Sequence, residues 1–385
     1  MRDPAVPTLP RDDSMPGTLP EFMRKFDSEE ACADVVRRWK YPEGFRCPAI
    51  DCGHPEAWYL PSRELDECKK CGHQVSLTAG TILHKSKKPL RLWFTAMFLF
   101  ASSKQGISAL ELKRQLGVSY QTAWAWLHKL RFGVGARATS LLTGTVETDE
   151  TYIGGVEEGR GGRSTEKKVP VAATVEAPRT KKHLGRVRLV VLEDATEESL
   201  STVVSATVDE GAYVVTDGWS GYKSLAEHGF RHRSINVKRS GQKAHAVLPG
   251  VHRVFSLLRR LLLGTYQGAA SRKHLQAYAH EFQFRFNRRR SASRALVFQR
   301  LLSTAMACKA LPYWLIVGRS GPMPRSGRPE LCGYSLHRIP HPLRQLRVDP
   351  VSRPPQRATA RVLTTCTRNS QPIVPCSNYL ETRRG

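Results

Sequence analysis

Four cysteines near the N-terminus constrain this chain more than anything else in it. Cys47 and Cys52 (CPAIDC) have four residues between them, Cys68 and Cys71 (CKKC) have two, and fifteen residues separate the pairs. Each short loop brings two thiolates to one ion, and Gly53 and Gly72 follow the second cysteine of each pair, where the backbone must fold back. Four sulfurs in a tetrahedron with no open position describe a structural zinc rather than a catalytic one. The spacing therefore predicts a Zn2+-bound ribbon, too small to fold on its own apolar core. Cys32, Cys308, Cys332, Cys366 and Cys376 show no ligand pattern, and nine cysteines in 385 residues are too few for a disulfide scaffold.

The rest of the chain has to house other domains. At about 100–200 residues each, 385 residues suggest two or three. Residues 1–20 carry Pro, Asp and Gly without periodicity and read as a flexible leader. Residues 21–80 read as an N-terminal helix and the ribbon, 85–135 as a helical region, and 143–303 as a mixed α/β domain. Residues 310–385 hold twelve Arg, no Lys, three acidic residues and eleven of the 24 Pro, a composition that predicts a disordered tail or a stretch translated in an altered frame. No apolar run approaches the roughly 18 residues of a membrane span, and the N-terminus lacks the apolar segment of a signal peptide, so a cytoplasmic protein is expected.

Charge narrows the class of partner. Lys and Arg number 60 against 34 Asp and Glu, a formal +26, and +17 remains when the tail is set aside. Such a surplus attracts polyanions, nucleic acid first, although a solvated basic surface is the alternative.

Between Pro89 and Phe132, Ser108 can cap a helix bearing Leu110, Leu112 and Leu116; Gly117 can end it; and Ser119 can cap the next, QTAWAWLHKLR. Two helices about a short Gly turn are the helix-turn-helix arrangement, with Ser119, Tyr120, Gln121 and Thr122 as candidate DNA contacts. An ordinary helical hairpin is the other reading. Two acids stand in strand-like settings, Asp149 in TVETDETYIGG and Asp217 in AYVVTDGWSGY. Asp217 follows a strand-like run and precedes a glycine, a position where functional groups collect and where plain turn formers also occur.

Taken in order, CPAIDC, CKKCGH, TAGTILHKSKKPLRLWF, QLGVSYQTAWAWLHKLR, VETDETYIGG, VVTDGWSGY and SLLRRLLLGTYQGAASRKHLQAYAHEFQFRFNRR resemble the bacterial insertion-sequence transposases that join a zinc ribbon to a DDE catalytic domain, the ISXO-like group. The resemblance spans about residues 20–303. It implies an RNase H-like fold, a five-stranded mixed sheet flanked by helices, and two divalent metals, Mg2+ or Mn2+. It also implies metal-dependent cleavage and joining of double-stranded DNA at element ends and target. A homodimer or larger assembly follows from pairing two ends, with a nucleoid-associated location. By position, Asp149 and Asp217 match the first two catalytic carboxylates. His252 stands where the family's third acid opens a helix, 35 positions after Asp217, and Arg259 lies seven further on, where the family often has Lys or Arg.

The histidine is a departure. It could ligate a metal as a softer donor that suits Mn2+, act on a metal-bound water, or mark an inactive copy. Arg259 and Arg260 are candidates for DNA phosphate, with surface placement the alternative. Glu147 shares Asp149's strand face by alternation and reads as a solvated or salt-bridged acid. A non-catalytic DNA-binding regulator or inactivated transposase is the competing function.

Overall fold

The computed structural model describes residues 12, 14–60, 63, 65–136, 140–154, 168–177, 183–268 and 271–318. The first helix, α1 (Leu19–Lys25), starts at a capping box in which the Thr18 side chain accepts from the Glu21 amide and the Glu21 carboxylate accepts from Thr18. Ser28 caps α2 (Glu29–Lys40) through the Ala31 amide. Phe22 of α1 and Phe26, just after it, pack on α3 (Leu90–Ser102), with ring centroids 4.7 Å apart for Phe22 and Phe98 and 5.0 Å for Phe26 and Phe94. Met15 is buried in the same core, which corrects the flexible-leader expectation over residues 14–20; residues 1–11 and 13 lie outside the described residues.

Between α2 and α3 lies a three-stranded antiparallel sheet, β1 (Ala57–Leu60), β2 (Leu65–Cys68) and β3 (Gln74–Ser76). After α3 come α4 (Ala109–Leu116) and α5 (Tyr120–Ala136), joined at Gly117, whose φ of 64° lies in the left-handed region that glycine tolerates best. Trp126 of α5 stacks on Trp93 of α3, with centroids 4.1 Å apart.

A second sheet follows, built from β4 (Thr145–Gly154), β5 (Lys168–Glu176), β6 (Val187–Val191), β7 (Tyr213–Thr216) and β8 (Arg231–Ser234), in the order β6-β5-β4-β7-β8. The first three strands are antiparallel, and β7 and β8 run parallel to β4. Alternation sorts the strand residues into two layers. Val169, Val171, Ala173 and Val175 meet α9 (Pro249–Gly264) and α10 (Arg272–Asn287), whereas Val146, Ala172 and Val214 meet α6 (Glu197–Thr207) and the 3-10 helix Ser220–Ala226. A mixed sheet flanked by helices is thus present. Two short helices, α7 (Val237–Ser240) and α8 (Ala244–Val247), connect β8 to α9.

The chain then returns to its N-terminal helices. Phe298 of α11 (Arg294–Ala307) is fully buried against Phe22, Phe26 and Phe98. Leu315 and Ile316 of α12 (Tyr313–Val317) cover Trp124 and Phe132 of α5. The disordered tail expected from residue 310 is therefore corrected over 310–318, and residues 319–385 lie outside the described residues. A buried ion triad joins α5 to α10. Glu281 accepts from Arg131 Nε at 2.7 Å and from Arg285 at 2.7 Å, and Arg131 lies over the Tyr278 ring. No helix among the described residues is long and apolar enough to cross a membrane.

Candidate functional site

In the ribbon, the amides of Cys47 and Cys68 donate to the carbonyls of His54 and His73, closing two tight loops around the cysteine pairs. Gly53 and Gly72 have φ of 55° and 70°, as the turn-back requires. The four Sγ atoms lie within 4.8 Å of one another, with Cys47 and Cys71 at 3.5 Å and Cys52 and Cys68 at 3.7 Å. Sulfurs bound tetrahedrally to zinc at about 2.3 Å would stand about 3.8 Å apart, so the thiols already have the shape of a Zn2+ site. Four such thiolates repel one another without a cation between them. Burial, reinforced by the neighbouring thiols, pushes the Cys47 thiol up to about 12.

At the larger sheet, β4 turns its odd-numbered residues toward α9. Glu147 is only 7% exposed, and its Oε2 accepts from the Val251 amide at 2.9 Å, on the first turn of α9. Gly250 allows that approach, since a Cβ there would lie 2.8 Å from Glu147 Oε2. Burial raises the Glu147 pKa, against the opposing effect of the two backbone amides. Two residues along, Asp149, also 7% exposed, accepts from the Glu150 amide through Oδ1 and presents Oδ2 to His252 Nε2 at 3.6 Å. Two further on, Thr151 accepts a hydrogen bond from Arg259, two turns along α9 from His252. The opposite face of β4 holds Glu150, whose carboxylate accepts from the buried Tyr222 hydroxyl at 3.0 Å.

Asp217 directly follows β7, the strand next to β4, whose parallel register pairs Glu147 with Val215 as its last residues. Asp217 Oδ1 accepts from the Trp219 amide at 3.0 Å, and Gly218 between them has φ of 82°. His252 Nε2 is buried and makes no hydrogen bond. Burial lowers the His252 pKa, the charges of His245 and Arg259 lower it further, and Asp217 opposes them. These influences favour the neutral imidazole, the form that can ligate a cation. Two carboxylates and a neutral imidazole are a donor set that a divalent cation can use. Among the described residues, however, the cysteines alone form a compact group of three or more metal-ligating atoms.

The residues singled out on α5 fall at its exposed end. Ser119 caps the helix through the Thr122 amide at 3.1 Å and shares a hydroxyl hydrogen bond with Thr122 at 2.9 Å. Tyr120 is 49% exposed and Gln121 is exposed, but from Ala123 onward the helix is largely buried, so its first turn is the part open to a partner. Arg259 and Arg260 are both exposed. Sequence reasoning missed the Arg131–Glu281–Arg285 triad and the capping of α9 by Glu147; strand alternation did signal the Glu147 face.

Residues 141–287 match the ISXO2-like transposase domain, and residues 27–74 match the transposase zinc-ribbon domain. The chain is also similar to the "Uncharacterized protein in transposable element ISH50" of Halobacterium salinarum, 24% identical over 282 residues that cover 68% of this chain and 92% of that protein. That relative is archaeal, so the bacterial qualifier of the expected resemblance is not carried over.

Proposed function

The chain is a member of the ISXO2-like transposases, with a transposase zinc ribbon ahead of the transposase domain, and from that premise we propose that it cuts and joins double-stranded DNA at the ends of its element. The observation that carries this reading is the approach of His252 on α9 to within 3.6 Å of Asp149 on β4, with Asp217 following the neighbouring strand β7. The strand order, with three antiparallel strands followed by two parallel to the first, supports an RNase H-like assignment of residues 143–303.

In this reading Asp149, Asp217 and His252 hold Mg2+ or Mn2+, with His252 favouring Mn2+. Bound divalent ions would supply the Lewis acidity that activates the attacking oxygen and offsets charge on the phosphate. Water first breaks a phosphodiester and frees a 3′ hydroxyl, which then attacks a target phosphodiester in line, transferring the strand and releasing the other target end. Glu147 fixes the start of α9, and with it the position of His252 over Asp149. Arg259, bonded to Thr151 on Asp149's face of β4, sets a fixed positive charge beside the site for a phosphate, and Arg260 adds another. The region 85–135 reads as a helix-turn-helix in which Ser119, Tyr120, Gln121 and Thr122 meet the terminal inverted repeats. Pairing two DNA ends calls for a homodimer or larger assembly.

A second reading, an inactivated copy that only binds DNA, is favoured by the histidine in the acid's place and by the turning of Asp217 Oδ1 onto the Trp219 amide. A strand-transfer assay on a mini-element with Mg2+ or Mn2+ separates the two. Metal-dependent joining that disappears in Asp149→Ala supports the enzyme, and DNA binding with no cleavage under either metal contradicts it.

A further inference from the structure

From His228 to His280 the chain has no acidic residue in 53 positions and carries ten Lys and Arg. The ribbon region contrasts with it. Residues 41–80 hold six acidic and four basic residues, and four thiolates around one divalent ion add further negative charge. The two regions face a polyanion with opposite signs.

The acid-free stretch lies along the candidate active site. Arg231 and Arg233 are exposed on β8, which pairs with β7 alone and forms the edge of the sheet. Gly218, beside Asp217, packs so closely on the start of α7 that a Cβ there would lie 3.0 Å from Asn236 Cα. Arg239 on α7, Lys243 ahead of α8 and Arg260 on α9 are exposed. Among the described residues, no ion pair involves Arg231, Arg233, Arg239, Lys243 or Arg260. Cations that neutralise no acid among the described residues are free to replace the counterions of a phosphate backbone.

We propose that the surface running from β8 through α7 and α8 to α9 grips the sugar-phosphate backbone of duplex DNA beside Asp217 and His252, and that the zinc ribbon does not carry this phosphate binding. The proposal rests on the transposase reading and assigns the non-specific part of its DNA affinity to one surface. Contacts of this kind orient the duplex without reading its sequence.

The test is binding of the full-length protein to a short random-sequence duplex over a salt series, without added Mg2+ or Mn2+. Arg239→Gln/Lys243→Gln should lower the slope of log affinity against log salt by about 1.8, at about 0.9 per lost phosphate contact. Lys69→Gln/Lys70→Gln in the ribbon should leave the slope unchanged. All four side chains are exposed, so thermal melting should match the wild type in both variants. An unchanged slope in Arg239→Gln/Lys243→Gln, or a loss confined to the ribbon variant, overturns the proposal while leaving the transposase reading intact. A wild-type protein with no salt-dependent DNA binding would overturn both.

Discussion

In the ribbon, four sulfurs lie within 4.8 Å of one another, one at the end of β2 and three outside the strands, with few buried apolar neighbours beyond Val75 and Leu77. At the large sheet, Asp149 and His252 sit on β4 and α9, elements fixed by layers of Val, Leu and Phe on both faces. The thiols are crowded together and nearly closed. The Asp149 carboxylate and the His252 imidazole are set 3.6 Å apart by the packed strand and helix that carry them. A donor group that must organise its own surroundings has to be complete, because the ion supplies the folding free energy. One that rests on a prebuilt scaffold can leave positions vacant for substrate, and its geometry comes from packing.

Breaking the ribbon should therefore have the largest local effect. Structural zinc supplies about 10–16 kcal/mol of apparent folding free energy in small domains, so Cys68→Ser should abolish zinc binding and open residues 41–80 to limited proteolysis, while the sheet stays protected. Loss of protection in both regions together would break the contrast.

The helical scaffold is sharpened by Glu281→Leu, which leaves Arg131 and Arg285 buried beside an apolar side chain and should cost about 3–5 kcal/mol in urea unfolding. Burial raises the Glu281 pKa, but the charges of Arg131 and Arg285 outweigh it and leave the carboxyl below its usual range. A depressed folded pKa gives stability that is present above the unfolded value of about 4.3 and is lost as pH falls through the folded value. The gap between wild type and variant should thus narrow in acid; a gap independent of pH would contradict the ion triad.

The smallest effect belongs to Glu147. Glu147→Ala strands the Val251 amide and should cost about 1–3 kcal/mol in the same measurement. Glu147→Gln keeps an oxygen acceptor and should lie near wild type. Equal losses in both would mean that the carboxylate does more than cap α9.

Much of this was legible in the chain itself, for reasons that are local. The cysteine spacing specifies loops of fixed length, and Ser108, Gly117 and Ser119 mark helix ends by hydrogen bonds a few residues away. Strand alternation put Glu147 and Asp149 on one face, but the partner of Glu147 is an amide 104 positions later, so a solvated acid was the natural expectation. Arg131 and Glu281 are 150 positions apart, and no periodicity ties them. Arg288 and Arg289 are half-buried, and each guanidinium lies over a phenylalanine ring, Phe284 and Phe286, a pairing that a run of arginines does not announce. The expected tail began too early because Leu311, Leu315 and Ile316 were masked by their Pro- and Arg-rich surroundings, although they cover Trp124 and Phe132.

We propose Asp149, Asp217 and His252 as a divalent-cation site distinct from the zinc ribbon. Titration of Mn2+ into the full-length zinc-loaded protein, followed by electron paramagnetic resonance of free Mn2+, tests it most directly. Saturable Mn2+ binding is expected, lost in Asp149→Asn with zinc content and unfolding midpoint unchanged. Equal Mn2+ binding by wild type and Asp149→Asn, or no saturable binding by either, would contradict it.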